Sequence, residues 1–368
     1  MKNILTVIGT RPEAIKLAPV IEAIKKQNHL SNKICITKQH TDLLDPFLKA
    51  MDISFAYQLE TIKTKGSLHL SAANILRQFS IVFEESKPDL IIVQGDTTTA
   101  FIADLAAFYS KIPIAHVEAG LRTGSLHSPW PEEAHRCLID KLATYFFVPT
   151  LRARDSLLSE GIKQEQIWIV GNTAIDAIRL ACANNKSFQP SNKRVILVTI
   201  HRRENQGKPL KEVCYALLKI AEEFVDINIV LIMHPNPAVR ETIKSMLLGV
   251  QNINLLDSTD HHSFIQLLQN CTFVITDSGG IQEEITYLGK AALIVRETTE
   301  RHETLETGNA LLVGTKSLDI IKHCHELLEN DQLLANMSKV SFPYGDGYAA
   351  EKIANILNEQ LNGKGLYA

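Results

Sequence analysis

Four clusters of polar residues have types and spacings suited to chemistry. The first is GTRPEAIK (9–16). Gly9 permits a tight turn, Thr10 suits a helix N-cap and Pro12 suits the first turn. A helix N-terminus can face an anion, and Arg11 adds a planar fork for phosphate. Lys16 falls about one turn inside. The string is neither GxGxxG nor a P-loop, and a capped helix with surface charges reads equally well from it. The second cluster is DSGGIQEE (277–284). Ser278, Gly279 and Gly280 bring backbone N–H groups to a helix start with no side chain in the way, a nest for a diphosphate. Glu283 and Glu284 follow one turn in, where a carboxylate can accept ribose hydroxyls. An ordinary turn with acids favoured by the helix dipole is the plainer reading.

The third cluster joins QGDTTTA (94–100) to HVEAGLRTGSLHSPWPEEAHR (116–136). Asp96 and Glu118 each fall just past an apolar run, and Glu132 and Glu133 open the helix after Pro129-Trp130-Pro131. Acids converging on one mouth are costly unless solvated, cation-paired or useful. Asp96 before three threonines also reads as a helix cap. The fourth cluster is cationic: HRREN (201–205), MHPNP (233–237) and TTERHET (298–304), which supply His201, Arg202, Arg203, His234 and Arg301. Histidines at successive strand ends, with arginines beside one, point to an anion. Neither HExxH nor CxxC occurs, so no catalytic metal is expected.

These clusters need elements to hold them. KNILTVI (2–8), KICIT (33–37), DLIIVQG (89–95), IPIAHVE (112–118) and TYFFVP (144–149) are short, rich in Ile and Val, and barely alternate. That marks parallel strands buried on both faces. Helical patterns lie between them, at 12–27, 67–85 and 97–109. A second set follows at 194–200, 227–233, 253–256, 272–278, 291–295 and 310–313, after a polar stretch at 183–193. The alternation predicts an α/β chain of two Rossmann-like domains facing a cleft lined by strand ends, with a hinge near 169–193. PYGDG (343–347) then leads into a helix ending near Leu361.

Composition agrees. The chain has 368 residues, enough for two domains of about 150. Lys and Arg total 38 against 41 Asp and Glu, which argues against a nucleic-acid binder. No apolar run suits a membrane span, and the N-terminus lacks the features of a signal peptide. The six cysteines are widely spaced, as expected of buried thiols in a reducing cytoplasm.

GTRPEAIK, GDTTTA, HVEAGLRTG, SPWPEEAHR, GNTAIDA, HRREN, DSGGIQEE, LGK, TTER and PYGDG fall in the order and approximate spacing of the non-hydrolysing UDP-N-acetylglucosamine 2-epimerases. The chain resembles that family throughout. The resemblance implies a glycosyltransferase-B-like fold whose C-terminal helix crosses back to the first domain. Domain 1 would span 1–170 with 350–368 returning to it, and a UDP-binding domain would span 171–349. It implies cofactor-free interconversion of UDP-GlcNAc and UDP-ManNAc by a cytoplasmic homodimer, with no nucleic acid or membrane as partner. Asp96, Glu118 and Glu132 match the family's catalytic carboxylates, and His201 matches the histidine near the diphosphate. Arg11, Ser278, Gly279, Gly280 and Glu284 match UDP contacts, and Lys16 an implicated lysine. Gln39, with its neighbour His40, and Arg202 and His234 match a regulatory UDP-GlcNAc site of some bacterial members. There the chain departs: QHTDLL (39–44) replaces the family's QHREML, and TIKTKGSLHL (61–70) lacks the expected arginine. A hydrolysing epimerase and a non-catalytic nucleotide-sugar sensor are the competing readings.

Overall fold

The computed structural model describes residues 1–37, 41–60, 67–183 and 193–363. The chain divides into two compact units: Met1–Ala177 with the chain from Tyr344 onward, and Ile178–Pro343.

The first unit holds seven parallel strands: β1 (Lys2–Ile8), β2 (Leu30–Thr37), β3 (Tyr57–Leu59), β4 (Leu90–Gln94), β5 (Ile114–Val117), β6 (Tyr145–Val148) and β7 (Ile167–Ile169). Their order is β3-β2-β1-β4-β5-β6-β7. The edge strands β3 and β7 are only three residues each. Ile4, Ile8 and Ile92 face the helix Arg11–Lys25 and the final helix Ala349–Asn362. Leu5, Val7 and Ile91 face the helices Leu68–Ser86 and Thr98–Tyr109. Burial on both faces explains why these strands lack polar alternation. The winding reverses between β1 and β4, and such a switch point leaves a crevice beyond the strands' carboxyl ends.

The second unit repeats the plan with β8 (Arg194–Thr199), β9 (Ile227–Ile232), β10 (Ile253–Leu256), β11 (Phe273–Thr276), β12 (Ala291–Ile294) and β13 (Ala310–Leu312). Their order is β10-β9-β8-β11-β12-β13, all parallel, with the switch between β8 and β11. There Thr199 and Thr276 lie in register, their hydroxyls 2.7 Å apart.

The units part at 177/178 and 343/344, not at the expected 170/171 and 349/350. The reason is a clasp within the first unit. The Asn172 N–H donates to the Tyr344 carbonyl at 2.7 Å. The buried Asp176 carboxylate accepts the N–H groups of Ala349 (3.2 Å) and Ala350 (2.8 Å), capping the final helix. Gly171 and Gly345 pass so closely that a Cβ on Gly345 would lie 2.9 Å from the Gly171 Cα.

No helix among the described residues is long and apolar enough to cross a membrane. All six cysteines are free thiols, and burial pushes Cys35, Cys214, Cys271 and Cys324 up to about 12.

Candidate active site

In the first unit the switch point sets the β1 and β4 loops against each other. A Cβ on Gly9 would lie 2.4 Å from the Thr99 hydroxyl, so the approach requires glycine. Thr10 is the N-cap of the helix Arg11–Lys25, but its side chain does not cap it. Glu13 turns back instead: its carboxylate accepts the Gly9 N–H at 3.0 Å and the Thr97 hydroxyl at 2.7 Å. Burial pushes the Glu13 carboxyl up to about 7, against the pull of its hydrogen bonds. Arg11 opens the helix, half-buried.

Asp96 is not the cap of the next helix. Thr97 fills that role, accepting the Ala100 N–H at 3.1 Å. Asp96 instead meets Arg136, whose Nε (3.1 Å) and Nη2 both donate to its Oδ2. Glu118 has a left-handed backbone, φ +69°. Such strain costs on the order of 1–3 kcal/mol and persists only where the surroundings impose it. Here the N–H groups of Glu118 and Ala119 both donate to the Phe147 carbonyl (3.0 and 3.2 Å). The turn aims the Glu118 carboxylate at Lys16 Nζ (2.5 Å) and Gln94 Nε2 (2.6 Å), both donating to Oε2. Lys16 therefore stands beside a carboxylate.

Glu132 begins the helix Glu132–Leu142, half-buried, its side chain making no ion pair or hydrogen bond to the other described residues. Glu133 is the structural member of that acid pair. Its Oε1 accepts the N–H groups of Thr123 (2.8 Å) and Gly124 (3.2 Å), and its Oε2 pairs with Arg136. His116 ties the helix Glu132–Leu142 to the loop after β4: Nδ1 lies 2.6 Å from Asp140 Oδ1, and Nε2 lies 2.9 Å from the Gly95 carbonyl. A carbonyl only accepts, so Nε2 carries a hydrogen. Asp140 also accepts the Gly120 N–H (3.1 Å) and pairs with Arg122 (2.8 Å). Burial works to raise the Asp140 carboxyl, but His116 and Arg122 outweigh it and hold it below the usual range.

In the second unit the anchor is Asp277, fully buried at the end of β11. It accepts the N–H groups of His201 (2.9 Å) and Arg202 (3.0 Å) and the Asn205 side-chain amide (2.8 Å). Asp277 thus fixes the 201–205 loop across the switch point. Ser278 is the N-cap of the helix Gly279–Leu288, its hydroxyl unused for capping. A Cβ on Gly279 would meet Glu300 Oε1 (3.1 Å), Arg301 Cζ (3.5 Å) and Arg202 Nη2 (3.6 Å), whereas Gly280 has no neighbour closer than 4.0 Å. The helix start and the arginines therefore share one floor. Glu300, absent from the sequence expectations, organises them. It takes Arg296 at 2.9 Å, Arg202 at 3.1 Å and Arg301 at 3.2 Å. Burial works to raise its carboxyl, yet Arg301, Arg202 and Arg296 hold it far below the usual range. Glu283 is buried and accepts Arg301 Nε at 2.8 Å, which corrects its expected place among ribose acceptors. Glu284 stays half-buried on that helix. His201 and His234 meet edge-on, 6.0 Å between centroids, and His234 Nδ1 accepts the Asn236 N–H at 3.1 Å. Gln39 and His40 lie outside the described residues. Among those described, no group of three or more His, Cys, Asp and Glu could hold a metal ion.

Sequence reasoning missed His116, Asp140, Arg136 and Glu300. His116, Arg136 and Glu300 stood inside strings already singled out, but only the tertiary pairing of separate elements reveals their partners.

Two Rossmann-like parallel sheets, each with a polar cluster at its switch point, define a two-domain α/β protein of the glycosyltransferase-B type. The family model for UDP-N-acetylglucosamine 2-epimerase matches residues 22–358. The chain belongs to the UDP-N-acetylglucosamine 2-epimerase family. It is 42% identical to a UDP-N-acetylglucosamine 2-epimerase of Yersinia pestis, over 98% of this chain and 99% of that protein. It superposes on the Neisseria meningitidis UDP-GlcNAc 2-epimerase bound to UDP-GlcNAc with a TM-score of 0.92. That pair is 40% identical, with 96% of this chain and 99% of the other covered. The Methanocaldococcus jannaschii enzyme in complex with UDP-GlcNAc and UDP gives a TM-score of 0.82 at 32% identity, covering 97% and 99%.

Proposed function

We propose that this chain interconverts UDP-GlcNAc and UDP-ManNAc without hydrolysing them. The observation that carries the reading is the Glu118 turn. A strained backbone aims one carboxylate at Lys16 and Gln94, one loop away from Asp96 on Arg136.

The C2 hydrogen of an N-acetyl sugar is not alpha to a ring carbonyl, so direct deprotonation is unfavourable. Departure of UDP from C1 makes it removable. The C1–O bond breaks with its electron pair leaving on UDP, a carboxylate takes the C2 proton, and 2-acetamidoglucal forms. A proton then returns to the opposite face of C2 while UDP re-adds at C1. Asp96, Glu118 and Glu132 supply the carboxylates. Arg11, His201, Arg202, His234, Arg301 and the Ser278-Gly279-Gly280 helix start stabilise the departing diphosphate, and Glu284 accepts the ribose. Lys16 neutralises Glu118 between proton transfers. No redox cofactor enters this scheme. The family resemblance supports a cytoplasmic homodimer that supplies polysaccharide synthesis.

The test is incubation with UDP-GlcNAc alone in D2O, followed by NMR. UDP-ManNAc with deuterium at C2 is expected. Free ManNAc with UDP would establish the hydrolysing reading, and binding without turnover the sensor reading. Epimerised product without deuterium would refute a solvent-exchanging proton step.

A further inference from the structure

Glu13 is a buried titratable group that the reaction scheme leaves unused. It stands three residues after the N-cap Thr10, the capping-box spacing, in which the carboxylate returns to the N-cap N–H. Helix capping works at the surface and needs no burial. Glu13, however, is only 2% exposed. Its carboxylate also reaches beyond its own helix. Oε1 accepts the Thr97 hydroxyl at 2.7 Å while Oε2 accepts the Gly9 N–H at 3.0 Å. Thr97 Oγ1 in turn accepts the Ala100 N–H at 3.1 Å. One carboxylate therefore joins the turn that carries Arg11 to the turn that carries Asp96, across the switch point of the sheet. The junction is tight, with Gly9 pressed on Thr99 and the Thr99 hydroxyl 2.6 Å from that of Thr37.

The hydroxyl and N–H of Thr10 also hydrogen-bond the Glu13 carboxylate, and the charged Arg11 stands on the same turn. Of the charged side chains on the neighbouring loops and helices, Lys16 pairs with Glu118 and Asp96 with Arg136. An ionised carboxylate offers only acceptors, so it serves every donor around it. A glutamine, or a protonated Glu13, presents a donor of its own and must turn one of them away. Burying the charge nevertheless destabilises the fold, which a residue kept for capping alone would avoid.

We propose that Glu13 is a positioning residue that fixes Asp96 relative to Arg11 for C2 epimerisation, while destabilising the unit that contains it. This rests on the reading of Asp96 and Arg11 as parts of the reaction site. The test is Glu13→Gln in the full chain, assayed with UDP-GlcNAc. Its kcat should fall about ten- to a hundred-fold, as expected of a small misplacement at a reacting centre, and KM should move less than about threefold, as for a change not made in ground-state binding. Its thermal midpoint should rise. Because burial raises the Glu13 carboxyl to about 7, its destabilisation grows as pH rises from the usual carboxylate range to about 7 and then levels off, so the gain should be larger at pH 8 than at pH 5. Wild-type kcat should decline as pH drops below neutral, and Glu13→Gln should lose that inflection. Glu13→Asp keeps the charge but is too short to reach both loops. It should lower kcat with no rise in midpoint. Unchanged kcat in Glu13→Gln with an active wild type overturns this inference alone, and so does a lowered midpoint or an unfolded Glu13→Gln protein. A wild type that leaves UDP-GlcNAc unconverted overturns the functional reading and this inference together.

Discussion

Replacing Glu300 by glutamine probes the electrostatics of the second unit. The Glu300 side chain is 4% exposed and is the shared partner of Arg202, Arg296 and Arg301 at 2.9–3.2 Å. Among the described residues, Arg301 keeps Glu283, and Arg296 keeps only Glu204 at 3.4 Å, whose side chain is half exposed. Arg202 shows no second carboxylate partner among the described residues. Glu300→Gln therefore strands positive charge around the start of the helix Gly279–Leu288. Removing one partner of a buried ion pair typically costs about 3–5 kcal/mol. For a unit of this size that lowers the thermal midpoint by roughly 10 °C. The sign with pH is fixed by the depressed Glu300 carboxyl. Its stabilisation is fully present above the usual carboxylate range and fades as pH falls below it, so the difference between variant and wild type should be flat from pH 6 to 8 and narrow in acid. The stranded arginines border Gly279, so a diphosphate bound there would replace the lost anion. Melting in excess UDP should accordingly raise the variant's midpoint by more than the wild type's. A loss below about 1 kcal/mol, the range of an exposed pair, would refute the claim that Glu300 holds the cluster together. Equal stabilisation of both proteins by UDP would refute the claim that the arginines face the diphosphate.

Three further outcomes follow from the first unit. Glu118→Gln should reduce kcat by about 10²–10⁴-fold, the usual worth of a proton-transferring group; a loss of no more than tenfold by steady-state assay would argue against that role. Asp140→Asn removes the partner of both His116 and Arg122 in the interior, and denaturant titration should show a loss of about 3–5 kcal/mol. Because the Asp140 carboxyl is held below its usual range, that difference should fade as pH falls through the acid range. Asp176→Ala leaves the Ala349 and Ala350 N–H groups without their cap, which costs about 0.5–2 kcal/mol. Hydrogen exchange should report this as lost protection at the start of the final helix.

The sequence determined the element plan because both sheets are buried on both faces. Such strands read as unbroken Ile and Val runs, and every polar cluster singled out in the sequence lies just beyond one. It also located the helix starts at Arg11 and Gly279, since Gly-Thr-Arg-Pro and Ser-Gly-Gly are local backbone chemistry. The edge strands β3 and β7 escaped because three residues are too few to show a periodicity. The domain boundary shifted because Asn172 and Asp176 bind residues more than 170 positions away.

Roles within each cluster were decided only by tertiary structure. Glu132 and Glu133 are neighbours of identical type, yet the helix turns one inward onto Thr123 and Arg136 and leaves the other without such a partner. On the helix Gly279–Leu288, Glu283 is buried against Arg301, whereas its neighbour Glu284 is half-buried. Asp277 stands next to the Ser278-Gly279-Gly280 nest in sequence and is the buried tie between two loops. Spacing along the chain tells which face of a helix a residue occupies. Whether that face meets a cation, a backbone N–H or solvent depends on strands brought alongside by the parallel winding.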